Sequence, residues 1–159
     1  MKLYRFSPIL NEKQLIEAVK YTATETTKLC KKVVGKSLSI NSLTVFSHYD
    51  AEYKKLLKII YKIGKPYNKH NGLCVKLHKT IEVGEHSIQY LRIRKPDPYR
   101  TQVGCNDFEV GDYQSFKKNH VPKYPQNLRI IERPDYEMIE FFDPDFDVLA
   151  YVVSKKLYC

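Results

Sequence analysis

The pattern of the chain predicts an α+β fold: a mostly antiparallel sheet of about five to seven strands, with two main helices at about 11–35 and 49–63 packed on one face. Three observations carry this. Two segments within the first 63 residues repeat apolar side chains at helical spacing. Nearly everything after residue 73 alternates as strands do or is broken by turn residues. No regular strand–helix–strand alternation exists that would predict a doubly wound parallel sheet. At 159 residues the chain suits a single domain, and folding would hide roughly 68–70% of its unfolded surface.

Taken in order, Leu3-Tyr4-Arg5-Phe6 predicts a short opening strand. Asn11 followed by Gln14 predicts a capped helix start, and Leu15, Val19, Ala23, Thr26, Cys30 and Val33 continue one buried stripe until Gly35 stops it. Leu43-Thr44-Val45-Phe46 reads as a strand, and Ser47-His48-Tyr49-Asp50 has the form of a capping box for a second helix. That helix would bury Tyr53, Leu56, Leu57 and Ile60 and stop at Gly64.

Leu73, Val75 and Leu77 then alternate with Cys74, Lys76 and His78, and Gly84 turns the chain into a strand from Ser87 to Lys95. There Tyr90, Arg92 and Arg94 share one face and Gln89, Leu91 and Ile93 the other. Beyond the prolines come a short extended piece at 107–110, a brief helix at 112–118, and strands at 127–131, 136–142 and 148–153. The stretches LRIRKPDPY and LRIIERPDYE both leave a strand through a basic residue and Pro-Asp, because proline lacks the N–H that would keep it in a ladder.

Composition narrows the function classes. The longest uncharged apolar run is six residues, so neither a membrane span nor an export segment is expected. Cys30, Cys74, Cys105 and Cys159 fit no zinc-ligand spacing and are sparse for a disulfide framework, so reduced thiols and a cytoplasmic location are expected. Gly-rich phosphate loops and a Gly-x-Ser-x-Gly elbow are absent from the sequence. His78-Lys79-Thr80 is half of a two-histidine phosphoesterase signature with no second half. Cys105, after Gly104, is the least implausible nucleophile, and His48 could sit at a helix start facing an anion.

Charge is the most informative property. The net charge is +9, with 21 Lys and only 6 Arg. Residues 1–95 hold 16 Lys and 3 Arg against 7 acids, whereas residues 96–159 hold 8 bases and 11 acids, so a basic part (+12) precedes an acidic one (−3). Between Glu52 and Glu82 there are eight lysines (54, 55, 58, 62, 65, 69, 76, 79) and no acid. Lys54, Lys58, Lys62 and Lys65 align along the second helix, and a row of one sign points to an anionic partner.

The first expectation is a binding module rather than an enzyme, with a basic surface for a polyanion, most plausibly single-stranded nucleic acid. Lys54, Lys58, Lys62, Lys65 and Lys76 would hold backbone, Tyr90 would stack, and Arg92 and Arg94 would contact phosphates or bases; no metal or cofactor is expected. A second expectation is a Mg²⁺-dependent phosphoesterase or nuclease using Asp97, Asp107, Asp135 and Glu137. A third is a non-catalytic adaptor or homodimer in which the basic part of one copy meets the acidic part of another.

Overall fold

The computed structural model of the protein describes residues 3–68 and 73–155. Its elements run α1 (Glu12–Val34), β1 (Ser39–Phe46), α2 (Asp50–Ile63), β2 (Gly64–Asn68), β3 (Cys74–Val83), β4 (His86–Arg94), β5 (Gly104–Glu109), α3 (Tyr113–His120), β6 (Leu128–Glu132), β7 (Glu137–Phe141) and β8 (Val148–Val153). The strands form one sheet in the order β2-β3-β4-β1-β5-β8-β7-β6. The α+β class is as expected, but the sheet has eight strands and is mixed, with β1 parallel to β4 and β5 parallel to β8. Each parallel pair closes around an excursion, α2-β2-β3 in one case and α3-β6-β7 in the other. Such distant pairing leaves no local mark in the sequence.

Local chemistry fixes most element ends. The Asn11 side chain accepts from the Gln14 N–H at 2.9 Å while the Gln14 side chain accepts from the Leu10 N–H at 2.8 Å, which satisfies otherwise orphaned donors of α1. Gly35, at φ 77, ends α1 in the left-handed conformation that glycine adopts without penalty. Two expectations about element ends fail, the opening strand and the capping box. Residues 3–6 form bends rather than a strand.

Gly64 stops α2 as expected, not in a left-handed turn but extended at φ −158, and it opens the edge strand β2. A Cβ there would lie 2.6 Å from Val75 Cγ2, so close strand approach explains the glycine. Nor is Ser47–Asp50 a capping box: Tyr49 occupies the cap position without a side-chain bond. Instead the Glu52 carboxylate accepts from the backbone N–H groups of His48 at 2.7 Å and Ile9 at 2.5 Å, and the Ser47 hydroxyl donates to the Arg94 carbonyl.

The three helices of the described residues lie on one face. Leu15, Ala18, Val19 and Ala23 of α1 and Leu56 and Ile60 of α2 pack on Leu43, Val45, Val75, Leu91, Ile93 and Val148. Leu29, Cys30 and Val33 of α1, with Tyr113 and Phe116 of α3, pack on Phe108, Ile139, Phe141, Ala150 and Val152. Gly104 is hemmed in from two sides: a Cβ there would lie 2.3 Å from the Thr44 carbonyl oxygen of the adjoining β1 and 3.1 Å from Thr22 Oγ1 of α1. The acidic segment 143–147 is tied to this layer: Asp143 accepts Lys32 at 2.7 Å, and Asp147 accepts Arg5 at 2.7 Å and the Tyr21 hydroxyl at 2.6 Å. No described helix is long and apolar enough to cross a membrane.

Candidate anion-binding site

Because strand side chains alternate, packing Leu43, Leu91 and Ile93 against the helices turns Thr44, Arg92 and Arg94 to the opposite, helix-free face. Strand register then assembles that face in rows. One row reads Cys74, Arg92, Thr44, Cys105 and Leu149 across β3, β4, β1, β5 and β8. The next reads Ser42, Asp107, Tyr151, Glu140 and Arg129 across β1, β5, β8, β7 and β6. Arg94 is paired with Phe46, and its guanidinium lies 3.4 Å from the Phe46 ring centre. Cys74 and Leu149 are buried although no helix covers them, so this part of the face is sheltered.

The two rows differ in how their charges are met. In the second, Asp107 accepts from the Ser42 hydroxyl at 3.2 Å, and the fully buried Glu140 accepts from Tyr151 at 2.8 Å and from Arg129 Nε at 2.6 Å. In the first, the arginines have nothing comparable. Arg92 Nε, Arg94 Nε and Arg94 Nη2 are buried and have no hydrogen-bond acceptor among the described residues. Neither guanidinium is in an ion pair there. Buried donors are nearly always satisfied in folded proteins, and each exception calls for a cause. Two neighbouring guanidiniums with unmet donors have the chemistry that an oxyanion complements.

Titration follows from the same shelter. Burial pushes the Asp107 carboxyl up to about 6, against the pull of Arg92 and the Ser42 hydrogen bond. Burial, reinforced by Asp107, pushes the Cys105 thiol up to about 12 even with both arginines near. Cys105 is therefore a protonated thiol at neutral pH, and the nucleophile expected from its place after Gly104 is not supported. Burial also raises Tyr151 and lowers Arg94, though an arginine remains charged.

The residues expected for polyanion binding divide between two sides of the sheet. Lys54, Lys58 and Lys62 are exposed on α2, in the helical layer, and have no ion pair among the described residues. Lys62 instead borders a groove of about 500 Å³ between α1, α2 and β3, together with Lys20, His78 and Lys79. Lys65 pairs with Lys76 and Lys76 with Tyr90, which places these three beside Arg92 and Arg94. The single continuous surface expected of the lysine row and the arginines is thus divided by the sheet itself. Lys69 lies outside the described residues.

Other expected groups take structural roles. Asp97, Asp107, Asp135 and Glu137 do not gather. Asp107 is on the helix-free face, while Glu137 turns to the helical layer, accepting Lys117 at 2.6 Å and Tyr113 at 3.0 Å. Asp97 caps a turn through the Tyr99 N–H at 2.9 Å, and Asp135 is exposed between β6 and β7. Among the described residues no group of three metal-ligating side chains exists.

His48 is stacked on Tyr4 with ring centres 3.9 Å apart. It must donate from Nε2 to the Gln102 carbonyl (3.0 Å), so Nδ1 accepts from the Ser7 hydroxyl at 2.6 Å. Burial lowers its pKa, and with Glu52 already at the start of α2 no anion site is left there. Cys74 is disulfide-bonded, contrary to the expectation of reduced thiols, whereas Cys30 and Cys105 are free. Cys159 lies outside the described residues.

Sequence reasoning placed Tyr90, Arg92 and Arg94 on one face but missed Ser42, Thr44, Cys105, Asp107 and Tyr151 as their neighbours. Alternation within each strand carried their orientation; which strands adjoin was not legible. No protein-family model and no curated protein matches the chain. One solved structure, "Structural Genomics, Protein EC4020", is similar over 98% of this chain and 94% of its own, with a TM-score of 0.70 and 12% identity, a likeness that shows the fold alone.

Proposed function

We propose that the protein binds single-stranded nucleic acid across the helix-free face of its sheet. The observation that carries this is the pair Arg92 and Arg94, held side by side with buried N–H groups that no described residue accepts. Tyr90 supports the same reading: it lies in line with the arginines on β4, and the rings of Tyr67 and Tyr90 sit 5.0 Å apart at the edge of the face. A base stacked on such a ring contributes about 1–3 kcal/mol whatever its identity. Lys65 and Lys76 add positive charge beside the rings. In this reading Lys54, Lys58 and Lys62 are not ligands, because the sheet separates them from the arginines.

The test is fluorescence anisotropy of a labelled single strand against the protein at several salt concentrations. Affinity should fall with salt at a logarithmic slope of roughly −0.7 per phosphate contact, and Arg92→Gln and Arg94→Gln should each flatten it by about one contact. Absence of binding at low salt, or unchanged binding by the double variant, overturns the reading.

A further inference from the structure

We infer that the part of the helix-free face around Arg92 and Arg94 is built for a phosphomonoester, the doubly charged end group of a strand or a free phosphate, rather than for the diester of a strand interior. The strand-end form of this inference rests on the nucleic-acid reading above. Its first ground is donor count. Three buried nitrogens, Arg92 Nε, Arg94 Nε and Arg94 Nη2, need acceptors. A diester offers two free oxygens; a monoester offers three.

Charge is the second ground. The two guanidiniums carry two positive charges and are in no ion pair among the described residues, though at neutral pH the Asp107 carboxylate near Arg92 offsets part of that charge. A diester supplies one negative charge, whereas a monoester at neutral pH supplies between about 1.5 and 2. Shelter is the third. The unbonded nitrogens lie beside the buried Cys74 and the half-buried Thr44 and Cys105, where a group at the end of a chain can enter more readily than one flanked by sugars on both sides.

Pre-organisation is the fourth ground. The Phe46 ring fixes the plane of the Arg94 guanidinium, and strand register holds Arg92 between Cys74 and Thr44. Fixed forks of this kind bind planar or tetrahedral oxyanions through paired N–H groups, which lysine does not do. The Thr44 hydroxyl stands next to Arg92 and the Asp107 carboxyl near it, and they offer further hydrogen bonds to a phosphoryl oxygen, Asp107 when protonated.

The experiment uses the full chain and one oligonucleotide sequence in three forms: 5′-phosphorylated, 3′-phosphorylated, and hydroxyl-ended. Inorganic phosphate serves as competitor at constant ionic strength. A phosphorylated end should bind at least about tenfold more tightly than the hydroxyl-ended strand, and inorganic phosphate should remove that advantage alone. Arg92→Lys, which keeps the charge but loses the fork, should abolish the preference, so that phosphorylated and hydroxyl-ended strands bind the variant with affinities within about twofold of each other; its melting curve checks that it folds. Equal affinity for all three strands overturns the inference and leaves strand binding intact. Inorganic phosphate that binds calorimetrically while no strand binds overturns the nucleic-acid reading and keeps the monoester site with a free ligand. Binding of neither overturns both.

Discussion

Replacing Asp107 with asparagine should stabilise the protein in alkali and do almost nothing in acid. Burial holds this carboxyl at about 6 instead of the ordinary 3.8. An acid whose pKa is higher in the folded state binds more protons folded than unfolded. Its burden is therefore absent below about 3.8, grows as pH rises through the window 3.8 to 6, and is complete above it. A difference of about 2.2 units at 1.36 kcal/mol per unit amounts to about 3 kcal/mol. Asparagine cannot ionise, and it keeps an oxygen for the Ser42 hydroxyl, which lies 3.2 Å away.

Urea unfolding of both proteins at pH 8 and pH 4 measures this. The variant should gain up to about 3 kcal/mol at pH 8 and under about 1 kcal/mol at pH 4. A variant that is less stable at pH 8, or that gains equally at both values, would refute the assignment of a sheltered carboxylate whose burial outweighs the pull of Arg92 and Ser42. The same substitution removes a negative charge next to the arginines, so phosphate affinity at pH 8 should rise.

Three further outcomes follow from the packing. Gly104→Ala puts a methyl 2.3 Å from the Thr44 carbonyl oxygen of β1 and against Thr22 of α1, so the β1–β5 pairing must shift and the helix contact with it, and chemical denaturation should show a loss of about 1–3 kcal/mol or more. Arg129→Met leaves the fully buried Glu140 with Tyr151 as its hydrogen-bond partner, and should lower stability by about 1–3 kcal/mol, a loss that shrinks when Glu140→Gln is added in a double-mutant cycle. Joint replacement of Lys54, Lys58 and Lys62 by glutamine should change the melting temperature little and, at moderate salt, weaken strand binding far less than Arg92→Gln, because the row lies on the helical side.

What the sequence determined by itself was local. Asn11 with Gln14 and Gly35 bounded α1, apolar spacing marked the buried stripes of α1 and α2, and alternation put Tyr90, Arg92 and Arg94 on one face. Each of these depends on residues within about four positions of one another, the range over which helix and strand geometry act. Tertiary structure alone decided the rest. It supplied the parallel pairing of β1 with β4, which brings Thr44 to Arg92, and of β5 with β8, which brings Asp107 to Tyr151.

It also set the lysines of α2 apart from Arg92 and Arg94, since α2 packs on the side of the sheet that takes Leu91 and Ile93, and the two arginines alternate to the other. Charge counted along a chain says how much positive field exists; only the order of the strands says which face it occupies. Whether a guanidinium finds a carboxylate is likewise a question of neighbours that can lie a hundred residues away, as Lys32 and Asp143 do.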